Sequence, residues 1–353
     1  MKKFTKLALV SSIALTTNAM AMQAMDDAAL SATTGQDGLS IGIGISKIEI
    51  DKLLIHDNDG LRVDATTPGK AGAIVIKGNG LSVLDKDDVE TNVVKDRGVV
   101  IGANYDNGGA YLLASRNLAD LVIDSDAGDT ATGGAFINVA AQVSGLDIKI
   151  GEIGVSASNA MPVAGATSIR RGHSTSNYNA ILSGLEVKTG KMDANIQLGA
   201  APQGAMVKLS TTMVGGLEIK NLGILDNSTK GKAVGSIDVG GTATAVATKE
   251  AGEIFIESIK ITDANSRNLK LDQNIQVFNN AYVGDTTTVG KAAHIRIVSN
   301  DTGSAKDQYI KGIHLGSRTA ASIGDMEVQG LQTYYSTAPM EYTKGAVITI
   351  SGH

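Results

Sequence analysis

The 353-residue chain contains no Cys, so neither disulfides nor thiolate-bound metals can hold it together, and burial and backbone pairing must do so instead. It has no Trp, and aromatic residues make up only 3% of it. Such a composition argues against an outer-membrane barrel, which needs aromatic girdles at both membrane interfaces. The last residues, Ile350-Ser351-Gly352-His353, also lack the terminal aromatic common in barrels. Lys and Arg are scattered singly among acidic residues, with no clustered basic face for phosphate neutralisation, so nucleic acid is not an expected partner. The five histidines, His56, His173, His294, His314 and His353, lie too far apart for metal-site spacing. His56 adjoins Asp57, but no serine elbow or paired catalytic glutamates accompany it, and no enzyme is expected.

The N terminus carries the three parts of a Sec signal peptide. Lys2, Lys3 and Lys6 form a cationic region, residues 7–15 an apolar region, and Ala19-Met20-Ala21 a small-residue cleavage site. The apolar run is about half of the roughly 20 residues a membrane helix needs. The expectation is a chain exported through Sec to the periplasm, outer cell surface or an extracellular filament, with residues 1–21 removed and no integral membrane segment left.

Gly is abundant, at 42 of 353 residues, while Pro occurs only four times. Alternation of apolar with small or polar residues dominates, as in Leu39-Ser40-Ile41-Gly42-Ile43-Gly44-Ile45-Ser46 and Ile48-Glu49-Ile50-Asp51. Period 2 reads as half-buried strand. The pattern returns at residues 73–77, 146–150, 185–188, 217–220, 254–261, 294–298 and 347–350. Residues 22–32 are the best helix candidate, and 118–122 read as either helix or strand. Loops rich in Gly, Asn, Ser, Thr and Asp are expected at 104–109, 124–134, 159–179, 226–231 and 299–306.

A repeat, Gly-Leu-x-[Ile/Val]-Lys, occurs as Gly145-Leu146-Asp147-Ile148-Lys149, Gly184-Leu185-Glu186-Val187-Lys188 and Gly216-Leu217-Glu218-Ile219-Lys220. Its irregular spacing fits two all-β architectures: an elongated β-solenoid or β-helix-like stack, or β-sandwich-type sheets, both with short glycine-rich turns. The domain plan is a signal at 1–21, an N-terminal extension at 22–38 and a β-rich domain at 39–353, with a subdivision near 160–180 as one option. Parallel β-helix enzymes acting on polysaccharides share the signal, glycine content and β core, but no clustered catalytic carboxylates are visible here.

Asp57-Asn58-Asp59-Gly60 and Asp124-Ser125-Asp126-Ala127-Gly128-Asp129 place carboxylates at alternating positions beside glycine turns. Asp57, Asp59, Asp124, Asp126 and Asp129 are therefore candidate Ca²⁺ ligands. The competing and favoured reading is a plain turn, because Asn, Asp and Gly tolerate positive φ and neither segment completes the EF-hand pattern.

The segment Leu30-Ser31-Ala32-Thr33-Thr34-Gly35-Gln36-Asp37-Gly38-Leu39-Ser40-Ile41, followed by Ile48-Glu49-Ile50-Asp51-Lys52-Leu53, resembles the FilA-like pilus-assembly proteins of Gram-negative bacteria. The close match covers about the first 40 residues after the signal. The resemblance implies an exported component of a cell-surface pilus or filament, partnered by itself or by other filament components, and it brings no catalytic residues or cofactor. Open strand edges suit such a role, since unpaired N–H and C=O groups template strand addition. A secreted β-rich adhesin displaying its Asn/Ser/Thr loops to a host or matrix ligand is the competing expectation.

Overall fold

A computed structural model describes residues 38–61, 69–80, 96–231, 233–235, 245–247, 250–280, 293–300 and 304–352. Among the described residues the chain makes eight long up-and-down traverses. The first holds β1 (Leu39–Ile43), β2 (Lys47–Ile50) and β3 (Lys52–Asp57); the second returns through β4 (Gly72–Lys77), β5 (Val99–Ala103) and β6 (Ala119–Asp126). The third comprises β7 (Phe136–Val143), β8 (Leu146–Ile150) and β9 (Glu152–Ala157), and the fourth β10 (Asn179–Lys188) and β11 (Met192–Gly199). β12 (Val207–Met213) and β13 (Leu217–Asp226) make the fifth, after which β14 (Ala233–Gly235) and β15 (Ala245–Ala247) pair as a separate ribbon. β16 (Gly252–Asp263) with β17 (Leu269–Phe278), then β18 (His294–Asn300) with β19 (Lys306–Gly316), are the sixth and seventh. The eighth is β20 (Ser322–Leu331), with β21 (Tyr334–Tyr335) and β22 (Thr343–Ile350).

Every traverse contributes to two large sheets. One has the order β1-β6-β7-β11-β12-β17-β18-β22-β21; the other has β2-β5-β8-β10-β13-β16-β19-β20, with β3, β4 and β9 prolonging β2, β5 and β8. Both therefore hold the traverses in chain order. The run from β10 to β11, residues 179–199, spans roughly 70 Å at about 3.3 Å per residue. The sheets meet along a seam of short breaks knitted by backbone hydrogen bonds: Leu118 N–H to Ile43 O at 2.9 Å, Ser144 N–H to Leu118 O at 2.9 Å, and Thr189 N–H to Leu146 O at 2.9 Å. Glycine is needed there for two different reasons. At Gly145 a Cβ would lie 2.6 Å from Thr189 O, whereas Gly216 has φ of +80° and Ile261 O would stand 2.5 Å from its Cβ.

An unbroken aliphatic row crosses each sheet. In the first it is Leu39, Ile123, Val139, Ile196, Val207, Ile275, Ile297 and Ile348, each directly opposite the next. In the second it is Ile48, Ile101, Ile148, Val187, Ile219, Ile259, Ile310 and Met326. Facing pairs of this kind contribute about 0.2–1 kcal/mol each. The repeat seen in the sequence supplies the centre of the second row. Ile148 faces Val187, which faces Ile219, so that Asp147 and Glu218 both face Lys188, and Lys149 and Lys220 both face Glu186.

That pairing separates the two architectures expected from the sequence. An acid–aliphatic–base triplet complements itself when strands run antiparallel, whereas stacked parallel in register it would set acid on acid and base on base. All described strand pairs are antiparallel, as the sheet alternative expects, and no parallel solenoid coil or closed barrel occurs among the described residues. Of the segment at 118–122, residues 119–122 are strand within β6, and four expected loops are shorter than their composition suggested, since residues 124–126 belong to β6, 179 to β10, 226 to β13, and 299–300 and 306 to β18 and β19. The helix candidate at 22–32 lies outside the described residues. Residues 158–178 connect β9 to β10, which pair with each other in one sheet.

Loss of the positive-φ glycine at the seam should be costly. Gly216→Ala is expected to destabilise the protein by about 1–3 kcal/mol, read as a lower urea midpoint with an unchanged transition slope.

Candidate functional site

Edges are where this architecture can act on another molecule, because each interior strand already has neighbours on both sides. On the N-terminal side the edges are β1, β2 and β3; on the C-terminal side they are β20 and the part of β22 beyond its short pairing with β21. Among the described residues no strand lies outside them. β20 is exposed at nine of its ten residues, including Ile323 and Met326. Three of the four row ends are exposed, Leu39 at 54%, Ile348 at 55% and Met326 at 47%, while Ile48 is half-buried.

The second sheet has a further exposed apolar surface beyond the rows. Ile55 faces Ile74, which faces Val155; farther across, Ile224 faces Ile254, which faces Leu315. All six are exposed. On the opposite side of the same region a polar clamp is buried. Arg318, in the turn before β20, donates to Glu253 at 2.7 and 3.1 Å and to Ser183 Oγ at 2.7 Å, while its guanidinium lies 4.9 Å from the Phe255 ring centroid. Burial would raise the Glu253 carboxyl, but its hydrogen bonds to Arg318 and Ser183 outweigh burial and hold it below the usual carboxylate range. The clamp ties the turn leading into the edge strand β20 to β16 and β10.

At the seam, residues 104–117 cover part of the charged side of the second sheet. Lys188 is buried there and donates to both oxygens of Asp106, at 3.0 and 3.1 Å, with Glu186 at 3.4 Å and Asp147 at 3.9 Å. Burial, reinforced by the nearby Glu186 carboxylate, pushes Asp147 up to about 6 despite Lys149 and Lys188. Burial opposes the charge on Lys188, yet its bond to Asp106 and the adjoining carboxylates raise its pKa. A polar cavity of about 390 Å³ opens beside this group, lined by Asn104, Asp106, Tyr111, Lys188 and Lys260 among others.

The candidate Ca²⁺ ligands are not brought together. Asp57 and Asp124 belong to strands of different sheets. Asp57 Oδ1 accepts from the backbone N–H groups of Asp59 and Gly60, Asp126 Oδ1 from that of Gly128, and Asp129 Oδ1 from that of Ala131. Each of these carboxylates accepts a backbone hydrogen bond within its own turn. Among the described residues no group of three or more His, Asp or Glu is placed to hold a metal. His56 bonds Ser158 Oγ at 2.8 Å, and His314 lies 3.3 Å from Glu257 and 2.6 Å from Ala320 O. Burial, then Arg171 and His173, lowers the His56 pKa. Among the described residues no helix is long and apolar enough to cross a membrane.

Sequence reasoning missed Arg318, Glu253 and Ser183, which are 65 and 135 residues apart from Arg318 and belong to no local motif. It also missed Asp147 as a perturbed group, although the repeat containing it was visible. Residues 1–102 match the model of a family described as "Family of unknown function (DUF6160)". No curated protein and no solved structure matches the chain.

Two measurements follow from this geometry. An acid whose folded pKa is about 6 against 3.8 in the unfolded chain loses stability as pH rises from about 4 to 6, because the folded state holds the proton longer. Asp147→Asn is therefore expected to leave the urea midpoint unchanged near pH 4 and to raise stability by about 1–2 kcal/mol at pH 7; an equal effect at both pH values contradicts this. For calcium, a site with a Kd of about 10 μM would add about 2.7 kcal/mol at 1 mM ion. Thermal unfolding with 1 mM Ca²⁺ and with EDTA is expected to coincide.

Proposed function

We propose that the protein is a structural subunit that associates through its sheet edges, as an exported component or assembly factor of a cell-surface pilus or filament. The observation that carries this reading is β20: a ten-residue strand, exposed almost throughout, with no outer neighbour among the described residues. Natural proteins usually blunt such an edge, because its free N–H and C=O groups recruit another strand. β20 carries neither Pro nor Lys; its only protective features are the charges of Asp325 and Glu327 and the irregular register against β19. The exposed aliphatic row ends supply apolar area beside the backbone template, a combination found where one sheet is extended by a strand of another chain. The resemblance of residues 30–53 to FilA-like pilus-assembly proteins and the export signal at residues 1–21 support placing the assembly at the cell surface.

A second reading, an adhesin, draws on a different feature. Residues 158–178 and β3 border a cleft of about 790 Å³ lined by His56, Asn159, Ile169, Arg171 and His173, with Glu49 and Asp51 alongside. Arg171 donates to Asn58 Oδ1 and to Asn159 O, both at 2.6 Å, so the cleft rim is ordered by charge-assisted bonds. An adhesin would bind its ligand through this rim as a monomer.

Sedimentation velocity and negative-stain electron microscopy of the purified protein decide between them. Concentration-dependent oligomers or filaments are expected. Met326→Lys is expected to weaken association by at least about tenfold, a loss of about 1.4 kcal/mol, without lowering the thermal midpoint, because Met326 lies on an exposed edge. A monomer at every concentration with both proteins would leave the adhesin reading.

A further inference from the structure

We infer that a second copy of this chain docks head to tail, its N-terminal edge (β1 to β3) antiparallel to the C-terminal edge (β20 and β22) of the first, so that both sheets and both aliphatic rows continue across the junction. This rests on the self-association reading above and specifies its geometry.

Strand direction fixes the polarity. Each sheet's through-path contains eight traverses, every neighbour antiparallel, so the first and eighth run in opposite directions. The first traverse of a second copy, set beside the eighth of the first, is then antiparallel to it, like every pair inside the molecule. Had the number been odd, the same placement would have required a parallel pair. Because both sheets hold the traverses in one order, their N-terminal edges come from a single stretch, residues 39–57, and their C-terminal edges from residues 322–350. A single placement therefore extends both sheets at once.

The rows fix the register. Leu39 ends one row at the N-terminal edge and Ile348 ends it at the C-terminal edge; Ile48 and Met326 do the same in the second sheet. Bringing Ile348 of one copy opposite Leu39 of the next, and Met326 opposite Ile48, continues each row by one more aliphatic pair. It lays residues 39–42 along residues 345–348 of β22, with the chain from residue 43 onwards turning past β21, which already pairs with Lys344 and Thr343. The two rows are compatible in one placement because each already runs unbroken through all eight traverses, although their separation along the chain varies from nine residues in the first traverse (39 to 48) to 22 in the eighth (326 to 348), where the chain detours through β21. In this register Glu327 faces Lys47 and Asp325 faces Glu49, one acid–base pair and one acid–acid pair. Glu49 is already held by Lys47 and Arg97, and Asp325 by Tyr309 and the Gly312 N–H, so the aliphatic rows rather than charge set the register. The contact joins two different surfaces, so it does not close on itself as a twofold dimer does, and repeated addition builds an open chain of copies.

Residues directly opposite on antiparallel strands have Cα atoms about 4.5–5.5 Å apart, within disulfide range, and the cysteine-free chain gives no background. Leu39→Cys and Ile348→Cys proteins, mixed and mildly oxidised, are expected to yield a cross-linked dimer, whereas neither forms one alone. The doubly substituted protein is expected to give a ladder of higher species on a non-reducing gel. Ile48→Cys with Met326→Cys reports the same junction in the other sheet, should the first pair fail to fold. Cross-linking of Leu39→Cys with itself would show a twofold contact and overturn the inference. Association without either mixed cross-link would overturn it while leaving the self-association reading intact, and a monomer throughout would end both. A mixed cross-link that forms only after residues 22–37 are removed would show that the chain's own N-terminal segment occupies the edge, which also overturns it.

Discussion

The fold depends on one pairing rule: an aliphatic residue flanked by an acid on one side and a base on the other is complementary to its own copy only when the second strand runs the opposite way. Ile148 between Asp147 and Lys149, Val187 between Glu186 and Lys188, and Ile219 between Glu218 and Lys220 obey it on three successive strands. A slip by one residue would turn every aliphatic group in the row to the other face. A slip by two would set like charges opposite each other. Register is thus specified twice, by the aliphatic row on one face and by charge, itself buried at Glu186 and Lys188, on the other, which matters in a chain with no disulfide to enforce it.

Much of this could be read before any coordinates. Period-2 alternation located the strands at residues 73–77, 146–150, 254–261 and 347–350, because a half-buried strand writes its two faces directly into the sequence. The repeat was visible as well, but its irregular spacing left both a stacked coil and broad sheets open. Its charge order was the deciding feature, and it acts only through pairing between strands. What lay out of reach was of another kind. Arg318 meets Glu253 and Ser183 because three distant traverses converge, and no local pattern marks such a meeting. The acidic turns admitted two readings, with the plain turn favoured, because Asp and Gly serve both cation loops and turns; the carboxylates at Asp57, Asp126 and Asp129 accept from nearby backbone N–H groups.

Polar burial is concentrated where strands would otherwise come apart. The Arg318 clamp secures the turn into β20, and the Lys188 cluster with Asp106 fastens residues 104–117 over the seam. A third group, in which Asn195 donates to Asn138 and to Gln203 at 2.8 and 2.9 Å, folds the turn between β11 and β12 onto its sheet. Each combines a buried or half-buried polar group with partners from distant positions, so that it orients elements that the aliphatic rows alone would leave free to splay. Stability and exposure are thereby separated: the interior strands are locked, while the edge strands have no outer strand beside them among the described residues.

The through-running traverses also bear on how such a chain can change length over evolution. Because each traverse supplies one strand to both sheets, duplication or loss of a single one would reverse the direction of an edge in both sheets together. A unit of two, such as β10 and β11 followed by β12 and β13, restores it. Relatives of different size should therefore differ by pairs of traverses, in steps of about fifty residues as measured on residues 179–226 of this chain, with the terminal strands retained while the middle of the molecule grows or shrinks.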